Sequence, residues 1–203
     1  MNEWWKKWLP VLLLAGFALT RWPGLMPMNF SAAYALAFCA GALPRRLPWW
    51  SLLAVLLATD IGLNLLYYET SIFSDYQAVN YLAYGLIFFL GRQFTARASW
   101  LKLIGGGLLG AIVFYLVTNT ASWLEDPAYA KTISGWIQSL TVGTSGWPET
   151  WKFFRNTLLS GGLFTGLIAA VLRSAEPAPS EAEAEAEAEP EEAGESEPEE
   201  TKA

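Results

Sequence analysis

Six apolar segments, separated by short runs of charge, proline and glycine, constrain this chain more than any other feature. They occupy residues 4–22, 31–47, 49–67, 78–95, 101–118 and 153–172. Crossing the hydrocarbon core of a bilayer takes about 20 helical residues, with about 17 the lower limit. Backbone inside that core must satisfy its own hydrogen bonds, and an isolated helix does so. The pattern predicts an all-α membrane protein. Its expected parts are a bundle of six transmembrane helices over residues 1–174, an extracytoplasmic amphipathic helix before the last span, and a disordered C-terminal tail over 175–203. The second segment is the weakest. Its apolar core, 31–43, would be only about 20 Å long as a helix, and a re-entrant segment is the alternative to a crossing.

Charge separates the two readings. If all six segments cross with the N-terminus inside, the inner side carries Lys6, Lys7, Arg45, Arg46, Arg92, Arg97, Lys102 and Arg173, and the outer side Arg21, Lys131, Lys152 and Arg155. Eight against four is the direction the positive-inside rule requires. Without the second crossing the bias reverses to five inside and seven outside. The expected location is therefore a bacterial cytoplasmic (inner) membrane, with both termini cytoplasmic. Lys6 and Lys7 before a short apolar stretch resemble a signal peptide. However, Trp4, Trp5, Trp8 and Trp22 bracket that stretch as interfacial anchors do, so an uncleaved first span is expected.

The overall net charge of −6 misdescribes the body of the chain. Residues 175–203 hold 12 Glu and one Lys, whereas the rest has 12 Lys+Arg against seven Asp+Glu. The alternating Glu-Ala run at 181–189 cannot bury enough apolar area to offset its ordering entropy. In the last long loop, Asp126-Pro127 reads as a helix start. Tyr129, Ile133, Trp136, Ile137 and Leu140 follow on one face, and Gly143-Thr144-Ser145-Gly146 ends the element.

The chain has no His, and Cys39 is its only cysteine. Zinc and haem lack ligands, and Ser/His or Cys/His catalysis lacks a base. No second membrane-embedded partner completes a serine-lysine or paired-aspartate hydrolase. No enzyme activity, cofactor or metal is expected. Polar groups inside spans are the first places to look for function. Asp60 is the only acid well inside a span, with no membrane-embedded cation beside it. Its carboxyl is a wall of a substrate site, a helix–helix hydrogen bond, or a protonated group. Asn64 shares its helix face. Asn29, Asn119, Trp123 and Asn156 fall near the outer ends of their spans, with Trp136 in the amphipathic helix above them. Together these residues suit a small neutral or mildly polar ligand. Against this stand simple helix caps, with Asn29 or Ser31 capping the second helix. Ala33, Ala37 and Gly41 form a small-residue stripe, as do Gly106 with Gly110 and Gly162 with Gly166. Such stripes pack a bundle or dock a partner.

Several motifs occur in the order found in a family of small bacterial membrane proteins of unknown function. They are Pro23…Met28-Asn29-Phe30-Ser31-Ala32…Ala35 with Phe38…Gly41-Ala42, and Thr59-Asp60. Tyr115-Leu116-Val117-Thr118-Asn119…Trp123, Tyr129…Thr132…Gly135 and Phe153-Phe154-Arg155-Asn156-Thr157-Leu158 complete the set. The chain resembles that family over about residues 20–170. The family is similar in layout to the S components of energy-coupling factor transporters, six-helix capture proteins for micronutrients. The resemblance implies a small-molecule ligand near the outer face, with a transporter T component and ATPase subunits as partners beside the lipid bilayer, and no nucleic acid. In S components the docking stripe lies on the first helix; here Ala33–Ala37–Gly41 lies in the second span. The expected function is substrate capture. The alternative is a membrane scaffold or assembly factor that recruits partners through its acidic tail.

Overall fold

A computed structural model describes residues 4–44, 47–73, 75–95 and 97–174. The acidic tail and the Arg45–Arg46 pair lie outside the described residues, as do the side chains of Trp4, Trp5, Lys6 and Lys7. The described residues form seven helices and no strand: α1 (Trp4–Thr20), α2 (Ala33–Ala42), α3 (Trp49–Leu66), α4 (Asp75–Gly91), α5 (Trp100–Glu125), α6 (Ile133–Leu140) and α7 (Thr150–Ser174). Three of them, α3, α5 and α7, are long and apolar enough to cross a membrane.

The short second segment is the centre of the bundle. Every residue of α2 is buried, and it packs against α3, α4, α5 and α7. A helix that is apolar all round is stable only when enclosed. Six of its ten residues are Ala or Gly, which lets neighbouring backbones approach closely. Among lipid tails, close packing of this kind is the main attraction between helices. The closest approach is α2 to α4: a Cβ on Gly41 would collide with the backbone of Phe88, and one on Gly91 with that of Phe38. Ala33, Ala37 and Gly41 are therefore interior packing residues with no surface to offer a partner. Gly106 lies under the Phe38 ring. The α5–α7 crossing is made by Gly107 against Thr165 and by Gly161 against Ala111, one register away from the Gly162/Gly166 stripe.

Pairs of contacts fix the helix directions. Tyr34, at the start of α2, packs on Phe114 just past the middle of α5, with ring centroids 4.6 Å apart, while Phe38, one turn on, covers Gly106 nearer the start of α5. Arg173, at the end of α7, donates to the carbonyl of Ala98 just before α5, and its guanidinium sits 4.9 Å over the Trp100 ring. Successive long helices thus alternate in direction. The α1–α2, α3–α4 and α5–α7 connections gather at one end, which is the cavity end described below.

The outside of the bundle is a surface for lipid. Leu82, Phe89, Leu109, Leu159, Leu163 and Leu167 are all exposed on its flanks. Exposed Trp49, Trp50 and Trp100 mark one end, and Trp22, Tyr67, Tyr68, Trp147 and Trp151 the other. Two aromatic girdles around an apolar belt are the arrangement of a membrane protein.

The expected start of the amphipathic helix at Asp126-Pro127 is corrected. α5 continues to Glu125, and Asp126 follows it in an extended conformation, as a residue before proline prefers. Its carboxylate accepts from the Ala128 N–H at 2.8 Å. α6 begins six residues later than expected, where the Thr132 hydroxyl accepts from the Gly135 N–H. The Lys131 ammonium donates to the carbonyls of Trp123 and Asp126, satisfying acceptors that the end of α5 leaves open. α6 buries Gly135 and Ser139, keeps Trp136 and Leu140 half-buried and exposes Ile133 and Ile137, so only part of its apolar face points away from the bundle.

Replacing Gly41 by leucine should break the α2–α4 contact, since neither backbone can retreat from the other. The expected outcome is a large drop in melting temperature of the detergent-solubilised protein, equivalent to about 2–3 kcal/mol. Gly62→Ala, where a Cβ meets nothing within 4 Å, should melt like the parent.

Candidate functional site

A cavity of about 980 Å³ opens at the end where these connections gather. Its origin is the shortness of α2. Ten helical residues span about 15 Å, whereas the 26 of α5 span about 39 Å. Above Ala33 the central position of the bundle holds no helix. The 21–32 connection, rich in proline and glycine, runs around the space instead of filling it. Irregular backbone is stable at membrane depth only where it is buried in protein or lines such a cavity.

The connection is pinned. Asn29 sits in the left-handed region at φ 59°, which asparagine tolerates better than most residues. Its carbonyl accepts from the Tyr34 hydroxyl at 3.0 Å. Asn156 donates to the Met28 carbonyl at 2.9 Å, and the Ser31 hydroxyl accepts from the Ala33 N–H. Across the cavity, Gly143 is held at φ +73° against the Thr150 hydroxyl, and Trp147 stands exposed at the mouth. Tyr129 reaches in from the α5–α6 connection. Burial, with the Asp126 carboxylate nearby, pushes its phenol above the usual range and keeps it neutral.

Arg21 changes the reading of Asp60. The expectation that no cation accompanies this carboxylate is wrong, because the Arg21 guanidinium donates to one of its oxygens and closes an ion pair. The Tyr81 hydroxyl of α4 donates to the other at 2.6 Å. Both partners are mostly buried, at 20% and 12% side-chain exposure. Together they tie α1, α3 and α4 beside the cavity. Arg21 lines the cavity, with Asp60 behind it. Counting charges by side of the membrane treats Arg21 as an outer charge. Counting depth would have found the pair: Asp60 is six residues, about 9 Å, below the end of α3, within reach of an arginine turned inward.

The predicted residues separate into three groups. Asn29 and Asn119 line the cavity, and Asp60 supports it through Arg21. Asn64 and Asn156 brace connections, Asn64 by donating to the Ile72 carbonyl at 3.0 Å. Trp123 and Trp136 lie in a separate shallow groove between α5 and α6. There their indoles donate to the Ala130 carbonyl and the Thr120 hydroxyl. Sequence reasoning missed Arg21, Tyr34, Tyr76, Asn80, Tyr84 and Thr118, which also line the cavity. Tyr76, Asn80 and Tyr84 recur at four-residue spacing on α4, a polar-aromatic face that could have been read as lining.

On the α5 wall, Thr118 donates to the Phe114 carbonyl, Asn119 to that of Tyr115 and Ser122 to that of Thr118. Thr118 and Ser122 have thus committed their only hydroxyl hydrogen. They offer the cavity oxygen acceptors. Aromatic rings close the lower part, where Tyr84 and Phe114 stack at 5.3 Å and 19°. The container is lined by aromatic and polar side chains in about equal measure, more polar than most small-molecule sites.

Residues 1–182 match the family described as Family of unknown function (DUF6580), and the chain belongs to it. No curated protein and no solved structure matches the chain.

Removing one member of the Arg21–Asp60 pair leaves the other buried and uncompensated. Arg21→Met and Asp60→Leu should each destabilise the protein by about 3 kcal/mol, while the double variant recovers much of the loss. A double-mutant cycle on thermal unfolding in detergent measures this coupling.

Proposed function

We propose that this protein captures a small molecule from the outer side of a bacterial cytoplasmic membrane, in the manner of an S component, and hands it to partner proteins for transport. The observation that carries the reading is the cavity. It is lined by aromatic and polar side chains alike and is about 980 Å³ in volume, at the upper end of the range for small-molecule sites. It opens at the end of the bundle that carries Arg21, Lys131, Lys152 and Arg155. The positive-inside count makes that end the outer one. In this topology α1–α5 and α7 supply six crossings, with α2 completing its own as the irregular 21–32 stretch. The stretches that carry the family resemblance converge on the same place, since Met28 to Ser31, Thr118, Asn119, Tyr129 and Phe153 all line it.

Transport needs an energy source that this cavity does not supply, so a T component and ATPase subunits are the proposed partners. The α2 stripe is enclosed and takes no part in that docking. A scaffold that works through its acidic tail has no need of a ligand-sized cavity, and for this reason the capture reading is preferred.

Protein purified from its native membrane in mild detergent should carry a co-purifying small molecule detectable by mass spectrometry, and vitamin screens should raise its melting temperature. Absence of any ligand, together with absence of a co-purifying ATPase, would sink the capture reading. Deleting residues 176–203 should leave ligand binding unchanged; loss of binding on that deletion would favour the scaffold.

A further inference from the structure

The lipid-facing side of α5 leads into a groove at the cavity end of the bundle. Leu101, Gly105, Leu109 and Leu116 are exposed along one stripe of that helix. Thr120 and Trp123 continue the stripe at the next two turns. They form one wall of a groove of about 470 Å³, with Lys131, Ile133 and Trp136 opposite. Thr118 and Ser122, which line the cavity, lie on the other side of α5. The groove is therefore continuous with the surface for lipid and separate from the cavity.

Its depth follows from the length of α5. Exposed Trp100 stands in the girdle at the far end. Thr120 is about 30 Å further along the helix, the thickness of a hydrocarbon core. The groove thus opens where acyl chains meet headgroups. α6 runs back along α5 at this level. The Trp123 indole donates to the Ala130 carbonyl at 2.9 Å, the Trp136 indole to the Thr120 hydroxyl at 2.9 Å, and the Tyr115 hydroxyl to the Leu140 carbonyl at 2.6 Å. Exposed Ile133 and Ile137 then sit at the depth where an amphipathic helix buries its apolar side in a bilayer.

The polar groups of the groove are donors. The Lys131 ammonium gives two N–H to the carbonyls of Trp123 and Asp126 and keeps a third among the described residues. The Thr120 hydroxyl accepts from Trp136 and retains its own hydrogen. Glu125 lies on the opposite side of α5 from the stripe, and the Asp126 carboxylate accepts from the Ala128 N–H. A cation and a hydroxyl at headgroup depth, above an apolar stripe, complement a phosphodiester carrying acyl chains.

We propose that this groove binds one phospholipid of the leaflet at the cavity end. Its phosphate accepts from Lys131 and Thr120, and an acyl chain passes Trp123 and runs along Leu116 and Leu109. The assignment is independent of what the cavity holds.

Native mass spectrometry of the full-length protein, delipidated in detergent, tests it with dioleoylphosphatidylglycerol and dioleoylglycerol as probes. The first phosphatidylglycerol should bind at least about tenfold more tightly than dioleoylglycerol, the worth of one good hydrogen bond to a charged group. Lys131→Gln should remove that preference and Lys131→Arg should keep it. Millimolar inorganic phosphate should not displace the lipid. Equal binding of the two lipids, an undiminished preference in Lys131→Gln, or displacement by phosphate would each overturn the proposal. Lys131 also braces the end of α5, so a second measurement stands apart from its replacement. p-Benzoylphenylalanine introduced in place of exposed Ile133 should, on illumination of native membranes, give an adduct with the mass of a phospholipid. A crosslink to a second copy or to another protein, or no lipid adduct, would overturn the proposal even if Lys131→Gln fails to fold.

Discussion

The structure depends on a central helix too short for its position. α2 is enclosed by four other helices and reaches only part of the way along them. Its burial requires small residues, and the α2–α4 contact at Gly41 and Gly91 is so close that neither position accepts a side chain. Its shortness forces the preceding stretch, 21–32, to be irregular. That backbone cannot face lipid, because its unpaired amides and carbonyls would have no partners there. It is held instead by Tyr34 and Asn156 from inside the bundle. The space it encircles is the cavity. The tight packing at one end of α2 and the void at the other are two consequences of the same ten residues.

The Arg21–Asp60–Tyr81 cluster sits where this arrangement needs it. At that depth the ion pair and the tyrosine hydroxyl join α1, α3 and α4, beside the Trp22–Tyr67 ring contact. A buried pair of this kind is weak evidence for net stability, since desolvation offsets much of its attraction. Its value here is geometric: it fixes Arg21 at the cavity wall against Asp60 of α3, beside the Phe17 ring of α1.

The membrane character, the helical class and most helix positions were legible in the sequence, because apolar runs of span length report the solvent of a helix directly. The chain from Leu101 to Val117 marked α5, but its apolar run ended before the helix did. Beyond that run Asn119 and Ser122 line the cavity while Thr120 and Trp123 turn to the groove beside α6, and the helix continues to Glu125, just before Pro127. The late start of α6 was missed for a related reason. An Asp-Pro pair suits a helix start, but here Asp126 closes α5 and a turn separates it from Thr132. Asn29 and Asn119 were found by depth, since polar residues at one level of a bundle tend to meet. Asp60 was found as an oddity, though its partner was not, because Arg21 lies 39 positions away in the chain and only the packing of α1 on α3 brings the two together. Trp123 and Trp136 share the right level but point to the other side of α5. Level alone cannot show which way a side chain faces.

The central claim is that the void above α2 is a ligand chamber open to the outside of the membrane. Cys39 is buried in α2, so a cysteine introduced at Asn119, on the cavity wall, can be read alone. A membrane-impermeant maleimide applied to intact cells should label Asn119→Cys rapidly and leave Cys39 of the parent untouched. Labelling only after the membrane is opened from the cytoplasmic side would contradict the account.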